Sequence, residues 1–194
     1  MSKIRRYTFT GKGKVTALYV DQTNLRLYVA VQNNSGCQLL IKSATNPNDT
    51  LYTITVDCDV INGIAGDSSY VYLALDDDTY IGGRVSKSSP TTPTYINIPS
   101  GVNEPAIKVA LGTYLLFLTA GDDSNEYARV LRYNSSTLVL VTNYELQGGD
   151  GDINYARGMD VDASDNVWVC TYTSPTKLVK INSDFSTYSV WNVE

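Results

Sequence analysis

The stretch Ala156-Arg-Gly-Met-Asp-Val-Asp-Ala-Ser-Asp-Asn-Val-Trp-Val169, followed by Lys177-Leu-Val-Lys-Ile-Asn182, decides the fold. Its first half alternates apolar and polar residues, a polar turn follows Asp162, and a second apolar run comes after the turn. Period-two alternation on both sides of a short turn predicts a β-hairpin, and the run at 177–182 predicts a further strand. The segment is therefore predicted to be one antiparallel unit.

The same unit recurs along the chain, as two strands joined by a tight turn and then two more strands. The predicted copies span residues 15–56, 61–98, 104–146 and 154–194, and a further strand is predicted at 3–10. Their first strands end roughly 43 to 52 residues apart, which is the length of a four-stranded propeller blade. No sustained helical period interrupts them, so an all-β fold is expected.

The residues Gly158-Met-Asp-Val-Asp162 and Asn166-Val-Trp-Val169 resemble the blade pattern of NHL, SMP-30 and virginiamycin-lyase-type propellers. The copy at Val15-Thr-Ala-Leu-Tyr-Val-Asp21 resembles it more weakly. The resemblance implies a β-propeller-like fold of about four four-stranded antiparallel blades in a single domain, 1–194. In that fold the first strand lines the channel, its closing Asp caps the turn, and the second strand packs between blades. A β-sandwich is the alternative.

The composition and net charge of the chain limit the classes of partner that it could bind. Hydrophobic residues make up 43% of the chain, charged residues 18%, and there are 15 tyrosines, which suits strands and a large core. The net charge of -5 argues against nucleic acid as a partner. The longest apolar stretch, near Leu111 to Ala120, is too short for a bilayer span, and the N-terminus has no signal-peptide pattern. We expect a soluble protein without a membrane partner, of unknown compartment.

Histidine is absent, which excludes imidazole acid–base catalysis, His-activated nucleophiles and His-ligated metals. The virginiamycin-type lyases are expected to use a catalytic histidine, so the resemblance does not carry that activity to this chain. The three cysteines, Cys37, Cys58 and Cys170, lack metal-ligand spacing and are predicted to be buried free thiols.

Acidic residues gather in the loops predicted to emerge at one end of the blades. Asp150, Asp152 and Asn154 have the spacing at which a calcium loop begins, and Ca²⁺ is the cation that such oxygens prefer. The loop departs from the calcium pattern because Tyr155 and Val161 stand at its sixth and twelfth positions. A metal site and an ordinary polar turn both remain open.

The predicted binding face combines acidic loops with tyrosines at the loop mouths, where loops on a rigid scaffold commonly bind partners. Its candidate residues are Asp76, Asp77, Asp78, Asp122, Asp123, Tyr127, Tyr155 and Tyr172. The acidic loops are equally typical of solvated turns, and most tyrosines are expected in the core.

The leading hypothesis is a non-enzymatic interaction module that binds a protein or a glycan. The composition of the chain would suit a virus or phage surface component or an adhesin. One alternative is a divalent-metal-dependent hydrolase of the SMP-30-like lactonase type, in which carboxylates would hold the metal. Another is a structural protein that forms a homo-oligomer through free strand edges at 3–10 and 186–193.

Overall fold

Alternation of apolar and polar residues produces sixteen strands in the described part of the chain. The structure is a computed structural model that describes residues 13–34, 36–121, 127–147, 153–172 and 175–193. The first eight strands are β1 (Lys14–Asp21), β2 (Arg26–Asn33), β3 (Gly36–Ser43), β4 (Thr50–Val56), β5 (Val60–Gly66), β6 (Tyr70–Asp76), β7 (Tyr80–Ser86) and β8 (Thr94–Asn97). The other eight are β9 (Ala106–Leu111), β10 (Leu115–Thr119), β11 (Arg129–Tyr133), β12 (Leu140–Glu145), β13 (Ala156–Val161), β14 (Val167–Thr171), β15 (Thr176–Ile181) and β16 (Tyr188–Val193).

The strands form four separate four-stranded sheets, each an antiparallel meander in chain order. We call the sheets β1–β4, β5–β8, β9–β12 and β13–β16 blades 1 to 4. Four sheets of four strands confirm the all-β, blade-like fold predicted from the repeats. The strand predicted at 3–10 lies outside the described residues, and the described residues contain no helix long and apolar enough to cross a membrane.

The second strands of blades 1 to 3 each supply two cores at once, because successive side chains point to opposite faces of a sheet. In β6, Val71 and Leu73 pack in the core shared with blade 1, whereas Tyr72 and Ala74 pack in the core shared with blade 3. A third core joins blades 3 and 4. These second strands therefore read as continuous apolar runs and hold the blades together.

The first strands lie side by side: β1 packs beside β5, β5 beside β9, and β9 beside β13. We call these first strands the inner strands of the blades. Among the described residues β13 does not pack closely against β1, so the four blades form an open row.

Aspartates cap the turns between first and second strands. Asp21, Asp67 and Asp162 each accept hydrogen bonds from backbone amides two to four residues later, at 2.7 to 3.1 Å. Blade 3 has no Asp at this position. Its turn is held instead from blade 4, because Asp165 Oδ1 accepts a hydrogen bond from the Thr113 amide at 2.9 Å.

Two sequence-based expectations need correction. The apolar and β-branched residues of 137–146 predict an outer strand of blade 3 that starts at Thr137. The strand begins at Leu140 instead, because Asn134 Oδ1 caps a turn there and Leu138 has a φ of 58°. Cys37 and Cys58 are buried as predicted, but Cys170 is exposed because it points outward from blade 4.

Candidate binding site

The acidic loops of blades 1 and 2 meet at one end of the blades. The Asp59 amide donates a hydrogen bond to the Asp76 carbonyl at 2.9 Å, and the Asp57 amide donates to the Tyr95 hydroxyl at 2.8 Å. Burial, followed by the nearby Asp59 carboxylate, raises the pKa of Asp76. The predicted juxtaposition of these two acidic loops is therefore found.

Asp77, one of the predicted binding-face residues, builds a turn at this end. Asp77 Oδ1 accepts hydrogen bonds from the amides of Thr79 and Tyr80, both at 2.8 Å. Within the described ranges, no group of three or more acidic or cysteine side chains could hold a metal ion. These contacts match the turn-forming role that the sequence left open beside the binding role.

Asp122, Asp123, Asp150 and Asp152 lie outside the described residues. Asn154, the described member of the proposed calcium loop, has its Oδ1 buried with no hydrogen-bond partner among the described residues. The calcium hypothesis stays a prediction.

Two of the tyrosines predicted at loop mouths contact each other through their backbones. The Tyr172 amide donates to the Tyr155 carbonyl at 2.9 Å, so the structure brings these two residues together. The Tyr172 side chain is 77% exposed, whereas Tyr127 and Tyr155 are half-buried. Tyr172 is thus the one of the three that presents most of its ring to solvent.

A second candidate lies at the opposite end of the blades, and the sequence prediction missed it. It is an open cleft of about 430 Å³ between blades 1 and 2, which we call the serine cleft. Its lining residues carry hydroxyl, amide, aromatic and cationic groups, and they are Asn24, Arg26, Ser68, Ser69, Tyr70, Ser86, Lys87 and Ser88. Five of these eight residues are neutral serines or asparagine.

The floor of the serine cleft is fixed by a buried ion pair. Lys87 Nζ lies 2.7 Å from Asp21 Oδ2, and the two side chains are only 6% and 4% exposed. Burial alone would raise the pKa of Asp21, but hydrogen bonds from Lys87 and Asn24 hold it at about 2. The Asp21 carboxylate is therefore charged at neutral pH, and it lies against the Lys87 ammonium.

Hydrogen bonds to backbone groups fix the walls of the serine cleft. Arg26 Nη1 donates to the Lys87 carbonyl at 2.7 Å, and the Lys87 amide donates to the Ser69 carbonyl at 2.9 Å. The hydroxyls of Ser86 and Ser88 are 3.1 Å apart. Since both cations already have partners, the cleft offers preorganised neutral donors and acceptors rather than an unpaired positive charge.

The position of the cleft follows from the strand register. Tyr70 pairs with Ser86, which places the turns at 67–70 and 86–89 at the same end of blade 2. Asn24 and Arg26 come from the β1–β2 turn of blade 1, so packing between the blades completes the lining. Serines are common in turns, and the sequence therefore contains no distinctive motif for this site.

Comparison with known proteins identifies no relative of this chain. No protein-family model matches it, and no curated protein is significantly similar to it. The resemblance to NHL, SMP-30 and virginiamycin-lyase-type propellers therefore stays a prediction drawn from the blade pattern.

Proposed function

We propose that this chain is a non-enzymatic binding module that takes a neutral, hydroxyl-rich ligand, such as a glycan, in the serine cleft. The supporting observation is the lining itself: four serine hydroxyls and an asparagine amide surround a floor whose charges are internally paired. A ligand with many hydroxyls can exchange hydrogen bonds with such groups in both directions. An anionic ligand would gain little, because both cations are already engaged.

Tyr70 gives the cleft an apolar surface beside its polar groups. The Arg84 guanidinium lies 4.3 Å from the centre of the Tyr70 ring and fixes one side of it. Arg84 is held in turn by the carbonyls of Ser135 and Ser136 in blade 3, at 2.9 and 2.8 Å. An aromatic ring held in this way suits the apolar face of a sugar without an ordering cost on binding.

The test is a screen against an array of neutral oligosaccharides, followed by calorimetry on the best binder. Ser69→Ala and Ser88→Ala should each weaken binding about tenfold, the usual effect of removing one hydrogen bond. Ser189→Ala, which removes an exposed hydroxyl on β16, is the matched control and should bind like the wild type.

Two results would contradict the proposal. One is a folded protein that binds nothing on the array. The other is a bound glycan whose affinity is unchanged in both cleft variants, because binding would then occur elsewhere. Binding lost in a variant of the acidic end, such as Asp77→Ala, but retained in the cleft variants would favour the face predicted from the sequence.

A further inference from the structure

The four blades have equivalent residues at equivalent positions. The exposure of a residue in one blade can therefore be compared with that of its equivalents in the other three. The strand register makes four residues of the second strands equivalent, one in each blade, and we call such a set a column. The first column is Tyr28, Tyr72, Leu116 and Trp168. The column two residues further on holds Ala30, Ala74, Leu118 and Cys170. In blades 1 to 3 both columns are at most 3% exposed, because the following blade packs on them.

In blade 4 the same face is open. Cys170 is exposed, Trp168 and Leu178 are half-buried, and Trp191 is 46% exposed. Trp191 pairs with Leu178, as Ile54 pairs with Leu39 in blade 1, where both residues are buried. We call this surface, formed by Trp168, Cys170, Leu178, Lys180 and Trp191, the outer face of blade 4.

The outer face also carries the cation that blades 2 and 3 use to bind their neighbours. Arg84 and Arg132 each donate to a carbonyl in a turn of the next blade, at 2.8 to 3.1 Å. Lys180 takes the corresponding position on β15, because it pairs with Trp168 as Arg84 pairs with Tyr72. In the described part of the chain Lys180 lies over the Trp168 ring, 5.5 Å from its centre, and makes no such bond to a turn.

The outward face of blade 1 is not a matching free surface. Val29, Val31 and Leu40 form a separate cluster there, and each is at most 1% exposed. Leu18 and Val20 remain exposed at its inner edge. The centre of that face is therefore unavailable to another blade, which leaves the outer face of blade 4 as the open blade face of the described residues.

The geometry points to a second copy of this chain on the outer face of blade 4, with blade 4 of one copy packed on blade 4 of the other about a two-fold axis. When the same face of both copies forms the interface, the pair is isologous and has a two-fold axis. Asp160 and Lys180 flank Trp168 on this face, so a two-fold axis can place the cation of one copy against the carboxylate of the other. The stacked pair Trp168–Trp191, with centroids 5.9 Å apart, supplies the large apolar surface that interface centres favour.

The test is the mass in solution by light scattering and sedimentation. The wild type should be a dimer at about 100 µM, a concentration at which micromolar association is nearly complete. Trp191→Glu and Cys170→Arg should each give monomers whose circular dichroism is unchanged. Val141→Glu is the matched control, because Val141 is an equally exposed residue (48%) on the outer strand of blade 3.

Three results would overturn the inference. A wild type that stays monomeric would show that no second copy occupies the face. A dimer that survives both substitutions would place the interface elsewhere. A dimer that is broken by Val20→Glu, at the edge of blade 1, would show head-to-tail pairing instead of a two-fold pair of fourth blades.

Discussion

Replacing Lys87 by Met removes one member of the buried ion pair under the serine cleft and retains most of the side-chain volume. Lys87 Nζ and Asp21 Oδ2 are 2.7 Å apart, with both side chains at most 6% exposed. Removing one partner of a buried pair costs about 3–5 kcal/mol, because the remaining charge loses its compensation. Asp21 keeps hydrogen bonds from Thr23 and Asn24, so the lower end of that range, about 3 kcal/mol, is expected.

Unfolding in urea, followed by two signals, measures this loss. Circular dichroism reports on all the strands, whereas tryptophan fluorescence reports on blade 4, where both tryptophans lie. Because the cores link successive blades, both signals should shift together in Lys87→Met. A loss of about 3 kcal/mol corresponds to a melting temperature roughly 6–12 °C lower for a chain of this length.

Two further variants test whether the loss of stability in Lys87→Met comes from the unpaired Asp21 carboxylate. Lys14→Met removes an exposed lysine and should change stability by less than about 0.5 kcal/mol. Asp21→Asn/Lys87→Met removes both charges and should recover part of the stability that Lys87→Met loses. The argument fails if Lys87→Met is as stable as the wild type, or if the double variant is less stable than the single one.

Three other outcomes follow from single contacts. In Gly82→Ala, the new Cβ would lie 2.4 Å from the Phe117 ring, so calorimetry should show a loss of at least about 1–3 kcal/mol, whereas Gly83→Ala meets ordinary contacts and should be nearly neutral. A thiol reagent should label Cys170 in the monomer under native conditions and reach the two buried cysteines only in urea, which mass spectrometry would reveal. Asp21 has a folded pKa of about 2, below its ordinary 3.8, so its contribution is complete above about pH 4 and is lost as pH falls toward 2, and Asp21→Asn should flatten that part of the stability curve.

Local patterns were sufficient to predict the strands. Each hairpin combines period-two alternation with a turn, and in blades 1, 2 and 4 the turn carries its own capping aspartate. Blade 3 shows the limit of this reasoning. Its turn is capped by Asp165 of blade 4, 52 residues away from Thr113, and no local pattern announces that contact. Its strands were still predictable, because their alternation does not depend on the cap.

The serine cleft could not be predicted for a related reason. Ser69 and Ser88 lie in turns of blade 2, and Asn24 lies in a turn of blade 1. Each is an ordinary turn residue by itself. Their position around one cleft depends on how two blades pack, and a contact between these blades, from Lys87 to Asp21, joins residues 66 positions apart. The acidic end was easier to predict, because consecutive aspartates are visible in the sequence.

The prediction that Cys170 is buried was wrong because its burial also depends on how blades pack. Alternation along β14 places Cys170 on the face opposite Val169, but it cannot say whether another blade covers that face. On the outer face of blade 4, Trp168, Cys170 and Trp191 occupy positions that are apolar in the buried interfaces between blades. The outer face of blade 4 therefore has the residue types of a covered blade face, and the mass in solution tests the proposal that a second copy covers it.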